Sequence, residues 1–177
     1  KPGENSITVE LENKPQSSRW YPGAGLYRNV SIISTSEIRV PVWGTYIVTP
    51  YVTAEEASVK LTTTIEGAGK ARQVMVKTDI VDPSGNVVAT NNSAYYSQGQ
   101  PFVQNFLVKN PALWSCETPA LYEARTTLEV DGKAVDTYTT RFGIRSLEYI
   151  PEKGFFLNGK YTKFKGVCNH HDLGPLG

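Results

Sequence analysis

Apolar residues in this chain recur mostly at every second position and almost nowhere at helical spacing. Alternation of that kind marks a half-buried strand, because successive side chains of a strand point to opposite faces of its sheet. From Thr45 onward the pattern predicts strands at 45–53, 58–66, 72–81, 86–90, 101–108, 121–130 and 134–142. Seven short strands in about 100 residues have the count and size of an immunoglobulin-like sandwich. Two connections are explicit. Asp82-Pro83-Ser84-Gly85 has proline second and glycine fourth, as a type I turn prefers, and Asp131-Gly132 suits a tight hairpin. No helical segment interrupts the strands, which argues against a parallel sheet. The expected fold class is all-β: an immunoglobulin-like sandwich of about seven antiparallel strands, flanked by partial β segments.

The flanks are strand-like but short. ITVEL (7–11) and LYRNVSIIS (26–34) are rich in β-branched residues. EIRVPVWG (37–44), with its proline and glycine, is expected to be a linker. Near the other end, FFLNGKYTKFKGV (155–167) predicts a hairpin closed by Asn158-Gly159. Neither flank can bury a sheet face alone. The expected organisation is therefore the end of one domain over 1–40, a complete sandwich over 41–144 and the beginning of a third domain over 145–177. Unpaired strand edges invite pairing, so a homodimer through them is an expected mode of association.

Composition narrows the partners. The chain has 177 residues, with 18 basic against 17 acidic side chains, a balance that argues against nucleic acid or an anionic membrane. No apolar run approaches a membrane span, and the opening KPGENSITVEL lacks the pattern of a signal peptide. Cys116 and Cys168, far apart in sequence, read as two free thiols.

Chemistry concentrates in KFKGVCNHHDLGPLG (163–177), where His170, His171 and Asp172 are adjacent. These residue types suit zinc or manganese. Consecutive strand residues face opposite ways, however, and the chain has no other histidine; no metal and no cofactor are expected. Trp20 and Tyr21 suit either sugar stacking or a domain interface, Trp114 reads as core or interface packing, and Arg141 and Arg145 read as ion-pairing residues at a domain junction.

Three ordered motifs, SRWYPGAGLYRNVSI (18–32), NPALWSCETPALYEARTTLEVDGKAVDTYTTRFGIRSLEY (110–149) and FFLNGKYTKFKGVCNHHDLGPLG (155–177), make the chain resemble glycoside hydrolase family 2. The resemblance implies the end of a jelly-roll sugar-binding domain over 1–40, an immunoglobulin-like domain over 41–144 and the start of a catalytic (β/α)8 barrel from 145. It implies a retaining glycosidase acting on a carbohydrate with a terminal β-glycosidic bond, of β-galactosidase type. It also places His170, His171 and Asp172 in the sugar site, in the segment that reads His-Glu-Asp in glucuronidase-like members and His-Glu-His in galactosidase-like ones. This chain carries His171 where those members carry glutamate. Both catalytic glutamates of the family lie further downstream, so no catalytic residue is expected here. The alternative is a non-catalytic carbohydrate-binding or adhesion module, which would need a row of exposed aromatics on one sandwich face.

Overall fold

The computed structural model describes residues 3–12, 14–16, 25–26, 29–69, 73–96 and 100–168. The chain divides into two compact units, 1–34 and 35–177. In the first, the described residues carry no strand, including all of 7–11, where Ile7, Val9 and Leu11 are exposed. The alternation there is strand-like, but a strand is stabilised by cross-strand pairs, and none form among the described residues of that unit. Of the strand expected at 26–34, residues 27–28 lie outside the described residues, and the rest carry no strand either.

The second unit is all-β. Its strands are β1 (Thr45–Val52), β2 (Glu56–Thr63), β3 (Gln73–Val81), β4 (Val87–Tyr96), β5 (Phe102–Lys109), β6 (Tyr122–Val130), β7 (Lys133–Phe142), β8 (Leu147–Ile150), β9 (Gly154–Leu157) and β10 (Lys160–Tyr161). They form three antiparallel sheets of order β1-β2-β5, β4-β3-β6-β7 and β10-β9-β8. The first two sheets are the faces of an immunoglobulin-like sandwich. All seven predicted sandwich strands are present. β4 runs further than the predicted 86–90, through Asn91, Asn92 and Ser93, because β3 offers a partner along its whole length. The four-residue β8 was not predicted and exists as the edge partner of β9.

The alternation of burial follows the sequence. β2 turns Ala57, Val59, Leu61 and Thr63 inward, and β3 does the same with Val74, Val76, Thr78 and Ile80. Two apolar clusters result, one around Val59, Ile80, Tyr122 and Ile144, the other around Val40, Val74, Val76 and Leu128. A hydrogen-bonded polar layer accompanies them. Thr78 Oγ1 donates to Gln104 Oε1 at 2.8 Å and lies 3.0 Å from Thr126 Oγ1. Gln104 Nε2 donates to the carbonyls of Val76 and Asn91, both at 3.1 Å. Gln104 therefore stitches β5 to the opposite sheet, and its burial is tolerable because both ends of its amide are bonded.

Turn chemistry is as the sequence requires. Gly85 N–H closes the turn on Asp82 O at 3.0 Å, while Asp82 Oδ1 accepts from Ser84 N and Asn86 N. Asp131 (φ 51°) with Gly132 (φ 73°), and Asn158 (φ 51°) with Gly159 (φ 74°), are left-handed pairs, the backbone of a type I′ turn.

The segment 37–44 is not a linker. Ile38 and Val40 are buried in the core, Arg39 bridges to Glu66 in both directions, and Val40 N–H donates to Asp136 Oδ2 at 2.7 Å. Proline and glycine there make a turn, with Gly44 N–H donating to Pro41 O at 2.8 Å. The alternating Ile38 and Val40 outweigh those breakers because they reach an apolar surface.

Candidate functional site

His170, His171 and Asp172 lie outside the described residues, as do Trp20 and Tyr21. The segment leading to the first three is described as far as Cys168. β10 covers only Lys160–Tyr161, with one further ladder-like bond from Thr162 N–H to Phe155 O at 2.8 Å; residues 162–168 carry no strand, so the predicted second strand of this hairpin is much shorter here. Its aromatic residues form a row: Tyr149 and Phe155 are 5.0 Å apart, and Phe164 stacks on Phe155 at 4.6 Å. These rings and Tyr161 line an apolar groove of about 480 Å³. Cys116 and Cys168 are free and exposed.

The best-defined polar constellation is the joint between this hairpin and the sandwich. Asn158 sits at the first position of the β9–β10 turn. Its Oδ1 accepts from Ser146 N–H at 2.9 Å, its Nδ2 donates to Trp114 O at 3.0 Å, and its own N–H donates to Ser146 O at 3.0 Å. Trp114 N–H in turn donates to Ile144 O at 2.8 Å. The guanidinium of Arg145 lies 5.0 Å from the centre of the Trp114 ring, a cation–π distance. Trp114 thus sits between the hairpin and the sandwich, bonded to both. Arg145 is held there by a ring face, and Arg141 pairs with Glu123 on the sandwich surface at 3.3 Å; among the described residues Arg145 makes no ion pair. The sequence showed Asn158 only as a turn former; its second role depends on Ser146 and Trp114, which the fold brings to it.

Beside the joint lies a groove of about 740 Å³, lined by Tyr46, Thr49, Arg141, Arg145, Ser146 and Leu147 among others. No carboxylate among the described residues lines this groove or the aromatic one. Among the described residues no cluster of three histidine, cysteine or acidic side chains could hold a metal. The perturbed carboxylates among the described residues all lean toward the ionised form. Arg125 first, then Arg141, holds Glu123 below the usual glutamate range; backbone and side-chain donors do the same for Asp82, led by Asn86, and for Glu117. A general acid needs the opposite shift.

The outward face of β1-β2-β5 follows from its register. Tyr46 is opposite Thr62 and Tyr51 opposite Ser58, and those two pair with Val103 and Leu107. Both tyrosines are exposed. They are the two aromatics in that set, and β2 and β5 add none beside them.

Comparison with known proteins matches this architecture. A β-galactosidase of Bacteroides ovatus is 41% identical over 98% of this chain and 21% of its own length. A putative β-glucuronidase of Formosa agariphila is 36% identical over the whole chain and 17% of its own length. The crystal structure of a glycosyl hydrolase family 2 member from Bacteroides cellulosilyticus superposes with a TM-score of 0.78 at 34% identity, covering 90% of this chain and 21% of that one. The chain spans about a fifth of the length of the curated relatives it matches. The family profile described as Glycosyl hydrolases family 2 matches residues 42–145, more than half of the chain, and the chain belongs to that family.

Proposed function

We propose that this chain is the non-catalytic bracing segment of a retaining glycosidase of β-galactosidase type, which cleaves terminal β-galactosides. The observation that carries the reading is the 41% identity to a β-galactosidase along 98% of the chain. Relatives named β-glucuronidase match at 36% and 29%, so the choice of sugar is a question for assay. Retention requires two carboxyl groups about 5–5.5 Å apart, one protonating the leaving group and one attacking the sugar. Four of the described carboxylates are held in ion pairs instead. Glu56, Glu66, Glu123 and Glu129 are engaged with Lys109, Arg39, Arg125 and Lys77 on the surface. On this reading, which rests on the family resemblance, neither the acid nor the nucleophile is among these 177 residues.

Within the chain, Asp172 accepts hydrogen bonds from hydroxyls of the terminal sugar, flanked by His170 and His171. This assignment rests on their position in the family motif. Charge-assisted bonds of this kind contribute about 1.5–3 kcal/mol each.

The test is kinetic. The full-length protein is assayed on nitrophenyl β-galactoside and β-glucuronide, and the 177-residue chain on both. A preference for the galactoside of at least tenfold in kcat/KM, with no turnover by the short chain, is expected. A reversed preference would overturn the galactosidase assignment, and turnover by the short chain would overturn the bracing role. In the full-length protein Asp172→Ala should lower kcat/KM by about ten- to a hundredfold at unchanged melting temperature. Kinetics within twofold of the parent would remove Asp172 from the sugar site.

A further inference from the structure

We infer that Asn158 is a positioning residue: its side chain latches the terminal hairpin to the sandwich and thereby fixes the hairpin from which the chain continues in sequence toward His170–Asp172. The inference deepens the proposed glycosidase reading and, for its kinetic arm, rests on it.

The turn demands one property of residue 158, and the latch demands two more. Asn158 has φ 51°, a left-handed conformation that asparagine, aspartate and glycine adopt with least cost. Its amide oxygen must also accept, from Ser146 N–H, and its amide nitrogen must donate, to Trp114 O. Asparagine alone among the three turn formers does all of this. Aspartate keeps the acceptor but turns a carboxylate oxygen toward the Trp114 carbonyl, and glycine keeps only the turn.

The three partners belong to different pieces of the fold. Ser146 lies on the link between β7 and β8, Trp114 on the link between β5 and β6, and Asn158 on the hairpin itself. The Trp114 side is held by several contacts. Its N–H is bonded to Ile144 O, Arg145 covers its ring, and Gly143 lies so close that a Cβ there would fall 2.8 Å from its Cβ and Cγ. Ile144, between these groups, is fully buried in the sandwich core. An unbroken path of bonds and contacts therefore runs from that core through Trp114 to the turn of the hairpin. His170 follows Asn158 by twelve residues in the sequence, so on the proposed reading a rotation of the hairpin shifts the point from which that segment starts. Displacements of about 1 Å in such segments can cost up to a hundredfold in rate.

Asn158→Gly and Asn158→Asp separate latch from turn. In the 177-residue chain, hydrogen exchange at the Ser146 amide should quicken about tenfold in Asn158→Gly, since one net hydrogen bond is lost, and stay near the parent value in Asn158→Asp. In the full-length protein Asn158→Gly should lower kcat about tenfold or more with little change in KM and none in the melting temperature of the sandwich. Asn158→Asp should lie between it and the parent. Unchanged Ser146 exchange in Asn158→Gly would overturn the latch. Quickened exchange with kcat within twofold of the parent would overturn the positioning role. A full-length parent that cleaves no glycoside would sink the glycosidase reading instead, leaving the exchange measurement to decide the latch.

Discussion

Gly143 and Trp114 are packed so closely that residue 143 has no room for a side chain: an added Cβ would meet Trp114 Cβ and Cγ at 2.8 Å and Cδ1 at 2.9 Å. The neighbours on either side explain why. Phe142 packs against the core and Ile144 is buried within it, which pins the backbone of 143 against the indole. Gly143→Ala should therefore destabilise the chain by roughly 1–3 kcal/mol, the usual cost of overpacking, and weaken the Arg145–Trp114 contact. Urea unfolding followed by Trp fluorescence would measure this; an unchanged midpoint would mean that the indole has space to move.

The layer built on Gln104 makes a second prediction. Gln104→Leu, close in size, leaves the Asn91 carbonyl without this donor and the Thr78 hydroxyl without its acceptor, at a cost of about 1–3 kcal/mol. Adding Thr78→Val should recover none of that loss, because it strands the buried Thr126 hydroxyl, which bonds Thr78 Oγ1 at 3.0 Å. Equal stability of Gln104→Leu and the parent would mean that water takes over these bonds.

The segment 37–44 should behave as part of the sandwich. Burying Ile38 and Val40 stabilises by about 1.5–3 kcal/mol each, so a chain beginning at Thr45 should be less stable than one beginning at Thr35 by at least about 3 kcal/mol. The comparison of two denaturant midpoints decides it. Matching midpoints would restore the linker reading.

Charge makes opposite predictions at the two ends of the pH scale. Glu123, held below its ordinary value of 4.5 by Arg125 and Arg141, and Asp82, held below 3.8 chiefly by the Asn86 N–H, favour the fold when ionised. Their contribution is present above those ordinary values and is lost as pH falls through the depressed folded ones. Both lie at the surface, partly exposed, so solvent screening keeps the effect small. Tyr122 runs the other way. Burial chiefly raises its pKa above 10.0, while the hydrogen bond with Ala112 N–H opposes the shift. Its contribution is present below pH 10 and lost as pH rises through the higher folded value. Tyr122→Phe should flatten the alkaline limb of melting temperature against pH, and Glu123→Gln the acid limb; a profile unchanged in both variants would show that other groups control it.

The sequence by itself determined the class of fold, the seven sandwich strands, the turns at Asp82–Gly85, Asp131–Gly132 and Asn158–Gly159, and the family. These are local properties: a period of two, a preference for left-handed backbone, and ordered motifs that can be read without knowing what lies opposite. Only the tertiary structure decided the rest. Whether ITVEL pairs, whether Ile38 and Val40 are linker or core, how far β4 extends and whether LEYI becomes β8 all depend on a partner surface, since burial and cross-strand pairing are properties of two segments at once. Asn158 shows the division within one residue. Its conformation follows from Asn-Gly, whereas its hydrogen bonds to Ser146 and Trp114 join positions 12 and 44 residues away, and no pattern of neighbours in the chain encodes a contact at that separation.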